Sequence, residues 1–183
     1  NEICGYYVTK LNKNNGVFYI ASGKGDTITA KAAIIACGGG ASPHFSCGTG
    51  YSLLTSFGHK VTKLLPSLVQ LKTEKSMIKH LKGVRLQDVT LRLICQCKET
   101  ACYSGDVIFT DYGVSGSAVF EASSKAVRLI DNGQNVILSI DMLPLLKLND
   151  VIAMLMQRKS MFPKREAAFL LNGVIPKQIA ANI

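Results

Sequence analysis

Apolar and polar positions alternate unevenly through the first 36 residues, in short runs separated by turn residues. Ile3 to Leu11 alternates loosely, Asn12-Lys13-Asn14-Asn15-Gly16 has the composition of a turn, and Val17 to Ser22 follows as a return strand. Gly23-Lys24-Gly25-Asp26 makes the next turn before Thr27 to Ala32. This pattern predicts a β-meander. It leads into Ala33-Ile34-Ile35-Ala36, an unbroken apolar run that suits a strand buried on both faces. Cys37-Gly38-Gly39-Gly40 ends the run, where the backbone can turn sharply and approach another group closely.

Gly48-Thr49-Gly50 then introduces a predicted short helix, Tyr51 to Phe57, with Gly58 placed for a left-handed C-cap. His59 to Thr62 has extended character and Pro66 marks a break. Strands are expected over Leu68 to Leu71 and over Val84 to Cys97. In the second, Val89, Leu91, Leu93 and Cys95 alternate with Thr90, Arg92, Ile94 and Gln96. Gly105 opens another strand, Asp106 to Thr110. A helix follows Gly116 with Ala118, Val119, Ala122, Ala126, Leu129 and Ile130 as its apolar face, and Asn132-Gly133 stops it. Asn135 to Ile140 returns as a strand. Beyond Pro144 the pattern is helical, with Leu148, Val151, Ile152, Leu155 and Met156 at helical spacing. Pro163 interrupts it, and Glu166 to Asn172 and Pro176 to Ile183 form two further short helices, the latter with Pro at a tolerated first-turn position. The expected class is α+β: a mixed region to residue 65, a β-rich, barrel-like region over 66–142, and a small helical subdomain over 143–183.

Composition narrows this only slightly. A hydrophobic fraction of 48% over 183 residues suits one ordinary domain or two small ones and argues against disorder. No apolar run reaches the roughly 18 residues of a membrane helix, so no membrane partner is expected. The chain starts abruptly in a strand pattern and stops in a helical one, without an export signal, which leads us to expect an internal piece of a longer cytoplasmic protein. The six cysteines then default to reduced thiols. Cys95-x-Cys97 with Cys102 offers three thiols, the first two on one face of a strand, but no fourth ligand lies close in sequence, and no metal is expected. The net charge of +9 is spread along the chain and favours anionic partners.

The stretch from Ile34 to His59 is the candidate site, because backbone amides at glycines after a strand can approach an anion or an electron-rich ring without obstruction. Turn geometry alone explains the same glycines. His44, His59 and His80 are residue types that could act as an acid or base near neutral pH, with His59 best placed, although a helix-end hydrogen bond is its simpler role. Ser115 with Asp111 and His59 does not make a hydrolase, since Gly113-Val114-Ser115-Gly116 lacks the G-x-S-x-G elbow.

Four ordered blocks carry a family resemblance. Ile34-Ile35-Ala36-Cys37-Gly38-Gly39 is similar to the strand end of two-dinucleotide-fold flavoproteins. Pro43, Cys47-Gly48-Thr49-Gly50-Tyr51, Gly58-His59 and Leu65 to Leu71 continue it, followed by Gly105 to Gly116 and by Leu170 to Lys177. Together they resemble the BaiN-like/aminoacetone-oxidase family of FAD-dependent oxidoreductases. The resemblance implies that residues 1–65 are the middle of an FAD domain and that the rest is an insert capping the flavin. It implies that Ala36, Cys37, Gly38 and Gly39 lie near the FAD phosphates or ribose, and that Gly48, Thr49 and Gly50 approach the flavin. The substrate would be a small molecule, with NAD(P)H left open as electron donor and the catalytic residues unassigned. Cys37 stands where the family has Thr, Thr49 where it commonly has Asp, and Ser117 where it has Pro. No G-x-G-x-x-G occurs in the sequence, and Gly23-Lys24-Gly25 is a hairpin turn, so this segment alone is expected to be inactive. The rival reading is a basic module binding nucleic acid or an acidic protein. It rests on the charge of +9 and on the barrel-plus-helices character of the insert, and is weakened for nucleic acid by the absence of Trp and an aromatic content of 7%.

Overall fold

The computed structural model describes residues 2–42, 44, 46 and 48–182. Two compact units emerge, 1–64 and 65–183. In the first, β1 (Val8–Asn14), β2 (Val17–Ser22) and β3 (Thr27–Ala30) form an antiparallel sheet in that order. The meander is therefore present, with β1 running further than its own alternation suggests. Asn14 pairs with Val17, so the turn is just Asn15-Gly16, and both residues have positive φ (49° and 80°). That is the mirror-image turn whose twist matches paired strands, and Asn-Gly is the pair best able to adopt it. The second turn is closed by the Ser22 amide donating to the Asp26 carbonyl at 2.8 Å. The Tyr6 hydroxyl lies 2.9 Å from both the Ile20 and Asp26 carbonyl oxygens and ties the approach to β1 onto the sheet. Helix α1 (Gly50–Thr55) ends as expected at Gly58, whose φ is 82°. The Gly58 amide bonds Thr55 O at 3.0 Å and the His59 amide bonds Leu54 O at 3.3 Å, the two bonds of a Schellman closure.

The second unit is a five-stranded antiparallel sheet in the order β4-β7-β6-β5-β8, curled into a half-barrel. Its strands are β4 (Leu71–Lys72), β5 (Arg85–Cys95), β6 (Lys98–Phe109), β7 (Gly113–Ser115) and β8 (Val136–Asp141). The alternation in β5 is realised: Val89, Leu91, Leu93 and Cys95 are buried while Thr90, Arg92 and Ile94 are partly exposed. They face α2 (Ser117–Asp131), which lies on the sheet through Ala118, Val119, Ala122 and Ala126. These side chains are small, so the helix backbone comes close to the strands, and each fully buried Leu or Val of the sheet contributes about 2 kcal/mol. Ser123, fully buried on the same face, is satisfied by donating to Phe120 O at 2.7 Å and accepting from the Val69 amide at 3.2 Å. Leu129 and Ile130, expected on the apolar face, are only partly covered, and Ile130 is 55% exposed.

Two glycines lock β7 in place. A Cβ on Gly113 would lie 1.9 Å from Leu71 O, and one on Gly116 would lie 2.3 Å from Asp106 O. Both positions are accessible only to a residue without a side chain. Ser117, standing where the resembled family has Pro, accepts the Asp106 amide at 2.9 Å and so links β6 to the start of α2.

The C-terminal part contains α3 (Leu148–Met161), α4 (Ala167–Leu170) and α5 (Lys177–Ala180). Ile175, Ile179 and Ala180 join the core beneath the sheet. The helical spacing of α3 is realised, but its apolar face is only partly covered among the described residues, with Val151 and Leu155 half-buried. Leu148, Ile152 and Met156 are all largely exposed.

Candidate functional site

The candidate site is assembled within the first unit, on the stretch that follows β3. Ala33-Ile34-Ile35-Ala36 is not a buried strand here. No strand pairs with it among the described residues, and Ile34 is 93% exposed. A strand buried on both faces needs hydrogen-bonded neighbours and a covering layer on each side, and the three-stranded meander supplies neither to this run.

Ala36, Cys37 and Thr49 are brought together. With Tyr6, Ile34 and Leu53 they line a mainly apolar cleft of about 350 Å³. Tyr6 and its neighbour Tyr7, which also lines the cleft, carried no signal in the sequence beyond their aromatic character at the start of a strand pattern. Thr49 sits at the N-cap of α1, its side chain making no capping bond.

The glycines are packed against other parts of the loop. A Cβ on Gly38 would lie 3.0 Å from Ser46 Cβ, and one on Gly39 would lie 2.7 Å from the Tyr51 hydroxyl. One on Gly48 would meet the Tyr51 ring at 3.0 Å, and one on Gly50 would meet Cys37 Sγ at 2.6 Å. Each glycine thus admits another part of the same loop. Ser46 completes the arrangement: its hydroxyl donates to Cys37 O at 3.0 Å and accepts the Gly48 amide at 3.2 Å. The loop is a self-packed turn that presents Cys37 and Thr49 at its outer edge. Pro43 and Cys47, part of the motif, lie outside the described residues.

Other candidates are not gathered into sites. Cys95 is buried in β5, but Cys97 lies in the two-residue turn that follows (φ 61°) and not on the same strand face as Cys95. Cys102 is exposed on β6, and among the described residues no three His, Cys, Asp or Glu side chains cluster as a metal would need. Asp111 is ion-paired with Lys82 at 2.8 Å, and Ser115 is buried in β7 between the two constrained glycines. His59 contributes its backbone amide to the end of α1 while its ring is exposed.

Whether these residues suit FAD turns on the cleft. Its apolar, tyrosine-flanked wall suits one flat edge of such a group, and Ala36, Cys37 and Thr49 stand along it. No cationic side chain lines it. The lining fits a ring or ribose edge.

Comparison with known proteins places the second unit in a family. The second unit is a half-barrel followed by α3, α4 and α5. Residues 65–183 match the family described as HI0933-like protein barrel and H2TH domain. The chain belongs to the HI0933-like family, which bears out the resemblance to BaiN-like oxidoreductases carried by its motifs. It is also 30% identical over 166 residues to a 3-dehydro-bile acid delta(4,6)-reductase of Clostridium scindens. That alignment takes in 90% of this chain, which spans 40% of the relative's length. No described helix is long and apolar enough to cross a membrane.

Proposed function

We propose that this chain is part of an FAD-dependent oxidoreductase that reduces a small molecule. The observation that carries the reading is the coincidence, in one chain, of the barrel and H2TH match over 65–183 with the Ala36–Cys37–Thr49 cleft upstream of it. The relative's name, a reductase, favours reduction as the working direction. FAD when bound would supply hydride or electron transfer. The residues of this chain would do the positioning. Ala36, Cys37 and Thr49 form the wall against which the group rests, Gly38, Gly39, Gly48 and Gly50 let the loop close behind them, and Ser46 and Tyr51 hold it. Residues 65–183 act as the cap that the family resemblance implies, and NAD(P)H is the donor to test first.

The test is the visible spectrum of the intact protein purified with and without added FAD. We expect a flavin band that bleaches anaerobically with NADPH or NADH. Ala36→Trp, which fills the cleft from an exposed position, should raise the Kd for FAD about tenfold, a loss of roughly 1.4 kcal/mol, with unchanged far-ultraviolet circular dichroism. A protein colourless even after reconstitution would end the proposal.

A further inference from the structure

Between the end of α3 and α4 lies a second cleft, of about 320 Å³, lined by Arg158, Met161, Phe162, Phe169, Leu170 and Asn172. Its aromatic wall is ordered: the Phe162 and Phe169 rings stand 5.3 Å apart, edge to face. Met161 and Phe162 remain 63% and 42% exposed, so the wall is open to solvent.

The polar element is Arg158. Its Nη1 donates to Leu170 O at 2.7 Å and to Asn172 O at 2.8 Å, which fixes the guanidinium plane. A guanidinium carries five donors, and these two bonds use one nitrogen. The Nε and Nη2 edge keeps the geometry that accepts both oxygens of a carboxylate. Among the described residues no carboxylate pairs with Arg158. Arg165 adds a second cation 4.9 Å over the Phe169 ring, and it too has no acidic partner among the described residues. Arg158 is thus a half-buried, oriented cation beside an exposed apolar wall, its two carbonyl bonds made and no carboxylate paired with it among the described residues.

We propose that this cleft binds an organic carboxylate with an apolar body of up to about a dozen carbons, the carboxylate on the Nε/Nη2 edge of Arg158 and the body against Met161, Phe162 and Phe169. The cleft shares no residue with the flavin wall of Ala36, Cys37 and Thr49 or with the glycine loop behind it.

Isothermal titration of the intact protein with decanoate, 1-decanol and decyltrimethylammonium tests the proposal. Decanoate should bind saturably at one site, decanol about tenfold more weakly, and the cation not at all. Arg158→Lys keeps the charge but loses the two-pronged edge and should weaken decanoate about tenfold. Should that variant unfold, Met161→Glu answers the same question from an exposed position, because a carboxylate there repels the ligand. Decanol binding as tightly as decanoate, decanoate binding unchanged in Met161→Glu, or no saturable heat would each overturn the assignment.

Discussion

Arg85 and Asp106 meet across the β5–β6 ladder beside an irregularity in β5. The register jumps between Leu86 and Val89, and Asp88 takes a left-handed conformation (φ 50°) there. Asp106 stabilises the bulge by accepting Arg85 Nε at 3.1 Å and the Asp88 amide at 3.3 Å. The Arg85 hydrogen bond is the main reason that the Asp106 carboxyl titrates below its ordinary value of 3.8, with the Asp88 amide and the Arg85 charge adding to it against partial desolvation. A carboxyl whose folded pKa is depressed contributes stability above its unfolded pKa and loses it as pH falls through the folded one. Urea midpoints of the wild type should therefore drop on acidification below about pH 4, and the drop should be shallower in Asp106→Asn. Equal slopes would show that the bulge does not depend on this carboxylate.

At the scale of elements, the long β5–β6 hairpin closes through Gln96-Cys97, both at positive φ (51° and 61°). Neither residue favours that region, in contrast to Asn15-Gly16 in the first hairpin. Replacing Gln96-Cys97 with Asn-Gly should stabilise the second unit by about 1–2 kcal/mol, read as a raised urea midpoint with an unchanged m-value. The same hairpin shows what the sequence made legible. The alternation of β5 was visible because its buried positions are large aliphatics, while the first half of β6 was not. Thr100 to Gly105 consists mostly of small or polar residues, and its pairing is dictated by β5 opposite it. β4 shrank to two residues because Leu68, expected inside a strand, has φ 54° and breaks the extended run. The candidate loop divides similarly. That a glycine-rich turn follows the apolar run was plain from the residues. That its glycines admit Tyr51, Ser46 and Cys37 depends on contacts that no spacing reveals.

Taken whole, the molecule has its buried aliphatics almost entirely in the second unit, where sheet, α2 and α5 share one core. Among the described residues of the first unit, Leu11 is the one large apolar side chain that is buried. Its fold rests on ladder bonds and tight turns, which weigh less than a packed core. The periodicity of α3 correctly indicated a helix, yet an apolar stripe does not say what covers it.

The exposed run Ala32 to Ala36 has a consequence for handling the protein. It pairs with no strand among the described residues, is free of proline, and is followed by no charged side chain until Lys60, with Lys31 as the gatekeeper beside it. Such a segment is a template on which identical copies can stack into cross-β assemblies. Light scattering of the 183-residue chain should accordingly rise steeply with concentration, and Ile34→Lys, which places a charge on the most exposed residue of the run, should raise the onset several-fold. An onset indifferent to that charge would place the adhesive surface elsewhere.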